Sequence, residues 1–133
     1  MALVLIVDDE EMDRVLERAI LEKAGHELLF ANDGESAMKL CRKEDLDLII
    51  TDLAMPNFNG LRFIKELREE GLMTPVIAVS GWATDQLDLA IEYGADLSME
   101  KPLDGVNLQK AVETALAIGH EVGRRDPWKR VIK

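Results

Sequence analysis

DLDLIITDLAMPNFNG, residues 45–60, joins an apolar run to a polar turn. Leu48, Ile49 and Ile50 follow one another without alternation, and Thr51 and Asp52 close the run. A loop with Pro56, Asn57, Asn59 and Gly60 comes next. A strand that is apolar on both faces belongs inside a parallel sheet covered from both sides. Asp52 then stands at the carboxyl end of a central strand, where open α/β sheets hold their ligands.

The rest of the chain sets the bounds. Its 133 residues are enough for one domain with one core, and 47% hydrophobic with 32% charged residues is ordinary for a globular protein. A formal net charge of −10 repels nucleic acid and anionic membranes, so neither is an expected partner. The single cysteine, Cys41, allows no internal disulfide and fits a reducing compartment; its place in a helical pattern reads as a small buried apolar residue rather than a reactive thiol. The first apolar run meets Asp8-Asp9-Glu10 at once, so it is neither a secretion signal nor a membrane span, and a cytoplasmic protein is expected.

Taken in order, Leu3–Val7 reads as a strand, and Glu10–Ala24 as a helix with periodicity through Met12, Val15, Leu16, Ala19 and Ile20. Glu27–Ala31 is a weaker strand. Asn32-Asp33-Gly34 is a turn and cap ahead of a helix over Glu35–Arg42, with Ala37, Leu40 and Cys41 inward. The strand around Ile49-Ile50 leads to a helix over Leu61–Glu70 that buries Leu61, Ile64 and Leu67. Val76–Val79 is a fourth strand, Thr84 caps a fourth helix ending at Tyr93, and Ala95–Met99 is a fifth strand stopped by Lys101-Pro102. A last helix begins at Asp104. Five strand–helix units with short connections specify a parallel sheet with helices on both faces, and five strands are too few for an eight-stranded barrel. The expected fold is an open, doubly wound, three-layer α/β/α domain.

That topology brings Asp8 and Asp9 after the first strand, Asp52 after the third, Ser80 after the fourth and Lys101 after the fifth to one edge of the sheet. Each has a plain reading by itself: a helix cap, a turn residue, a loop, a strand stop. Together they make a site. Crowded carboxylates need a cation or a proton between them, and hard oxygen ligands suit Mg²⁺, which takes one or two protein carboxylates plus phosphate oxygens. Ser80 adds a hydroxyl donor and Lys101 a compact positive charge, so the set suits phosphoryl transfer onto a carboxylate. No glycine-rich phosphate loop, Cys/His cluster or Ser-His-Asp set competes, and His26 and His120 read as loop and tail residues.

At Val7-Asp8-Asp9, Thr51-Asp52-Leu53 with Met55-Pro56 and Gly60, Ala78-Val79-Ser80-Gly81, Gly94-Ala95-Asp96 and Lys101-Pro102, the chain resembles the receiver domain of two-component response regulators, over Leu3 to Ile118. The resemblance implies a five-stranded flavodoxin-like sheet of order 2-1-3-4-5. It implies that Asp52 accepts phosphate from a phosphohistidine on a sensor kinase or a histidine phosphotransfer protein. Asp8, Asp9, Asp52 and the backbone carbonyl of Ala54 are then the Mg²⁺ ligands, Ser80 and Lys101 meet the phosphoryl group, and the peptide bond before Pro102 is cis.

Ser98 stands where the family usually has an aromatic residue that swings inward, which makes Tyr93 and Leu97 candidates for a partner surface on the fourth helix and fifth strand. Trp82, two residues past Ser80, either shields the phosphoryl group from water or packs on the neighbouring helix. Residues 1–118 form the expected receiver domain, and residues 119–133 form a basic tail, either a linker to an output domain or a frayed helical extension. Two other functions remain open: a Mg²⁺-dependent phosphohydrolase, and a degenerate receiver that binds partners without phosphorylation.

Overall fold

The computed structural model describes residues 1–55, 58–81 and 84–125, with backbone alone for 84 and 120–125. Its strands are β1 (Leu3–Val7), β2 (Glu27–Ala31), β3 (Leu48–Asp52), β4 (Ala54–Met55), β5 (Phe58–Asn59), β6 (Val76–Ser80) and β7 (Leu97–Glu100). Five of them form one parallel sheet in the order β2-β1-β3-β6-β7, which is the expected 2-1-3-4-5 order. The other two, β4 and β5, make a short antiparallel pair in the segment after Asp52, where the sequence reads as plain loop.

Helices α1 (Glu11–Lys23), α2 (Gly34–Lys43), α3 (Gly60–Glu69), α4 (Thr84–Tyr93) and α5 (Gly105–Arg125) cover the sheet. Every residue of β3 and of β6 is buried, as two-sided coverage requires. Two cores result. On one face Ala37, Met38, Cys41, Phe63, Ile64, Leu67, Leu87 and Ala90 of α2, α3 and α4 meet Leu5, Ile49, Val76 and Ala78. On the other, Leu21 of α1 and Leu108, Val112 and Ala115 of α5 meet Val4, Ile6, Ile50 and Ile77.

Helix starts follow local chemistry. Asp33 accepts the Ser36 N–H (2.7 Å) and Asn59 accepts those of Leu61 and Arg62 (3.0 and 3.2 Å), each relieving orphan donors of a first turn. Asp104 accepts the Asn107 N–H (2.8 Å) at the start of α5, and that helix continues through residues 119–125. Basic tail positions beyond 125, together with Trp82, Pro56 and Asn57, lie outside the described residues, as does the His120 side chain.

The α1 helix and the last strand of the main sheet also differ from the sequence reading. The apolar periodicity of α1 marks its buried face only at Ile20, which packs against the α1/α5 core: Met12, Val15 and Leu16 are 79%, 57% and 40% exposed, while Glu17 and Leu21 are buried. The last strand starts at Leu97 rather than Ala95, because Asp96 is engaged sideways, its N–H on Val76 O (2.9 Å) and its carboxylate on Val76 N–H (2.9 Å). Leu97 packs against the α1/α5 core together with Met99, so it is no part of a free surface; Ser98 and Glu100 face outward and Tyr93 remains exposed.

Candidate functional site

Strand register assembles the site. Val7 pairs with Thr51, Asp52 with Val79 and Ser80 with Glu100, so Asp8, Asp52, Ser80 and Lys101 emerge side by side at the carboxyl edge. The Lys101 N–H donates to Ser80 O (2.9 Å) and the Leu53 N–H to Val79 O (3.0 Å), which fixes the two flanking loops. The Lys101–Pro102 peptide is cis.

Asp8, Asp52 and Ser80 are all buried. The Lys101 ammonium donates to Asp8 Oδ2 at 3.1 Å and Asp52 Oδ2 at 2.8 Å, and also to Asp13 Oδ2 at 2.5 Å. The outer oxygens are held too: Asp8 Oδ1 accepts the Glu10 N–H and Asp52 Oδ1 accepts the Ala54 N–H, both at 2.9 Å. Asp9 is exposed beside them.

Burial pushes the Asp8 carboxyl above its ordinary pKa, against the Glu10 N–H and Lys101. Burial likewise works against the Lys101 charge, but hydrogen bonds to Asp13, Asp52 and Asp8 outweigh it and hold the ammonium well above its usual pKa. Glu17, a turn past Asp13, is 1% exposed with an unpartnered Oε2, and burial pushes it up to about 8, with Asp8 adding to the rise.

Three carboxylates, Asp8, Asp13 and Asp52, already converge on one cation here. Among the described residues no three His, Cys, Asp or Glu side chains are grouped to hold a metal ion. The donors present are nonetheless hard oxygens, and a pair of carboxylates with a carbonyl matches what Mg²⁺ takes from proteins.

Gly60 explains why the loop after Asp52 sits so close. A Cβ there would lie 2.6 Å from Leu53 Cα and 2.7 Å from Asp52 O, so only glycine lets α3 start against the site strand. Asp13 and Glu17 escape a reading based on strand ends, since both come from a helix. Their acidic i, i+4 spacing on the face carrying Leu21 was the available signal. Cys41 is buried and its thiol is pushed up to about 12 by burial, as suits an inert side chain.

A doubly wound domain with paired carboxylates and a lysine at its carboxyl edge suits phosphoryl chemistry on a carboxylate. The chain belongs to the response regulator receiver domain family, whose model matches residues 4–113. It is 35% identical over 115 residues to the alkaline phosphatase synthesis transcriptional regulatory protein PhoP of Bacillus subtilis, covering 85% of this chain and 48% of that one. It is 33% identical over 102 residues to the sensor histidine kinase RcsC of Escherichia coli, covering 76% of this chain and 11% of that one. The chemotaxis response regulator CheY4 of Vibrio cholerae superposes with a TM-score of 0.79 at 30% identity, covering 86% of this chain and 98% of that one.

This chain is therefore a receiver domain of two-component signal transduction, and it spans about half or less of these two curated relatives. Among the described residues no helix is long and apolar enough to cross a membrane.

Proposed function

We propose that this domain accepts a phosphoryl group on Asp52 from a phosphohistidine of a sensor histidine kinase or a histidine phosphotransfer protein, and that the acyl phosphate switches a partner-binding surface. The observation that carries this reading is the convergence of Asp8 and Asp52 on the Lys101 ammonium at the sheet's carboxyl edge.

In the transfer, an Asp52 oxygen forms a bond to phosphorus as the P–N bond breaks, and the departing imidazole nitrogen keeps the electron pair. Lys101 and the Ser80 hydroxyl meet the transferred oxygens. Asp8, Asp9, Asp52 and the Ala54 carbonyl would hold Mg²⁺, whose charge offsets that of the phosphoryl oxygens. The same groups serve hydrolysis of the acyl phosphate, so the domain assists its own phosphorylation and dephosphorylation.

The output follows from charge. Asp52 exchanges a single negative charge for roughly two, which draws Lys101 and Ser80 inward and moves the loop leading to α4. Leu89 and Tyr93, four residues apart on one face of α4 and 38% and 41% exposed, provide an apolar surface for a partner or an output domain. Residues 1–118 act as the receiver, and residues 119–133, of which 119–125 continue α5, serve as a basic linker or as an extension of that helix. A cytoplasmic setting fits the single buried thiol.

Incubation with acetyl phosphate and Mg²⁺ tests the assignment. Stable labelling that Asp52→Asn abolishes is the expected outcome. Turnover of the donor without stable label would favour a phosphohydrolase, and no label would favour a binding module.

A further inference from the structure

Lys101 commits all three ammonium donors to carboxylates, and only two of those come from strand ends. The third, Asp13, stands on the first turn of α1, makes the shortest contact of the three at 2.5 Å, and is itself only 26% exposed. A divalent cation held by Asp8 and Asp52 would compete with Lys101 for their carboxylates and would repel its ammonium. A lysine on a flexible four-carbon stem would then leave the pocket, regaining rotamer freedom, unless something else retained it. Asp13 stands on a helix instead of the sheet edge, so its contact with Lys101 does not depend on the oxygens of Asp8 and Asp52.

We infer that Asp13 is a positioning residue for phosphoryl acceptance. It holds the Lys101 ammonium at the mouth of the site, so that the remaining two N–H groups face the incoming phosphoryl oxygens. The inference rests on the phosphoacceptor reading above and adds a helix-borne carboxylate to it.

Charge alone predicts the opposite effect. Removing a carboxylate beside the pocket lessens repulsion of an anionic donor and would speed labelling. If Asp13 positions Lys101, Asp13→Ala instead slows labelling by acetyl phosphate at saturating Mg²⁺ and donor about tenfold, the scale of a misplaced reacting group, with little change in KM.

Asp13→Glu should restore part of the rate. In a Lys101→Ala background the Asp13→Ala change should cost nothing more, since interacting residues lose additivity. Beryllium fluoride with Mg²⁺, titrated calorimetrically as a phosphoryl mimic, should bind Asp13→Ala about tenfold more weakly than wild type if this retention of Lys101 matters. Asp13→Asn serves for the same measurements where the alanine variant folds poorly.

Equal or faster labelling of the Asp13 variants, undiminished beryllium fluoride binding, or a full effect in the Lys101→Ala background overturns the inference while leaving Asp52 as acceptor. A wild-type protein that takes no label overturns both.

Discussion

Two basic side chains sit at opposite ends of the same sheet, and they are treated differently. At the amino ends of β6 and β7, Arg68 of α3 donates to Gly94 O (2.8 and 3.1 Å), Leu72 O (2.7 Å) and Thr74 O (2.9 Å), and to one carboxylate, Asp96 (3.2 Å). At the carboxyl end, Lys101 faces three carboxylates. With all three ionised, one positive charge against three leaves two negative charges uncompensated. The Arg68 cluster is neutral as a pair and hydrogen-bonded to carbonyls, so nothing in it calls for a ligand. The Lys101 cluster is short of positive charge and built of hard oxygens, which fits the Mg²⁺ and phosphoryl site proposed above. A buried ion pair alone does not mark function; the mismatch of charge does.

Substitutions at the two ends should therefore fail differently. Arg68→Ala strips four backbone-carbonyl contacts and leaves the partly buried Asp96 without its cation. It should lower unfolding free energy by about 3–5 kcal/mol in urea denaturation, while the folded fraction still takes label. Lys101→Ala should do the reverse, abolishing most labelling with a smaller loss of stability, and that loss should shrink when Mg²⁺ is added. Should Lys101→Ala prove the more destabilising of the two, the division into structural and functional ends fails.

Glu17 extends the comparison into the core beneath Lys101. Its folded pKa of about 8 lies above the ordinary value of 4.5, so the folded state holds a proton that the unfolded state releases. Stability contributed by that proton is present below pH 4.5 and is lost as pH rises through 8. Glu17→Gln should hence be nearly neutral at pH 4.5 and stabilising by on the order of 3 kcal/mol at pH 8, read from thermal or urea unfolding across that window. A stabilisation independent of pH would mean that Glu17 is ionised in the fold.

Gly60→Ala should act through the backbone beside the site. Contact of the new Cβ with Leu53 Cα and Asp52 O forces a backbone shift worth about 1–3 kcal/mol. It should also slow phosphorylation by moving the Asp52 loop. Unchanged labelling would show that the loop absorbs the methyl without disturbing the site.

The sheet was legible because uninterrupted apolar runs such as Leu48–Ile50 and Val76–Val79 have few other homes. Strand order then placed Asp8, Asp52, Ser80 and Lys101 on one edge. Residues that hold the site from outside that edge were not legible in the same way. Asp13 and Glu17 lie on a helix where Met12, Val15 and Leu16 point to solvent and only Ile20 of the periodic residues packs on the core, so hydrophobic periodicity was a poor guide to the buried face; the inward face is set by Lys101 and by Leu21. Arg68 escaped notice because its partners are mostly backbone carbonyls, which carry no side-chain signature. Leu97 was misplaced for a simpler reason: alternation gives the two faces of an edge strand without saying which one the α1/α5 core covers.

The most direct measurement is the position of the phosphoryl group. An acyl phosphate formed with acetyl phosphate and Mg²⁺ can be reduced with borohydride, which converts the acceptor aspartate to homoserine, and then mapped by peptide mass spectrometry. Homoserine at position 52, dependent on Mg²⁺ and absent from Asp52→Asn, is the expected result. Reduction at Asp8, Asp9 or Asp13, or at no position in a protein shown to be folded, would contradict it.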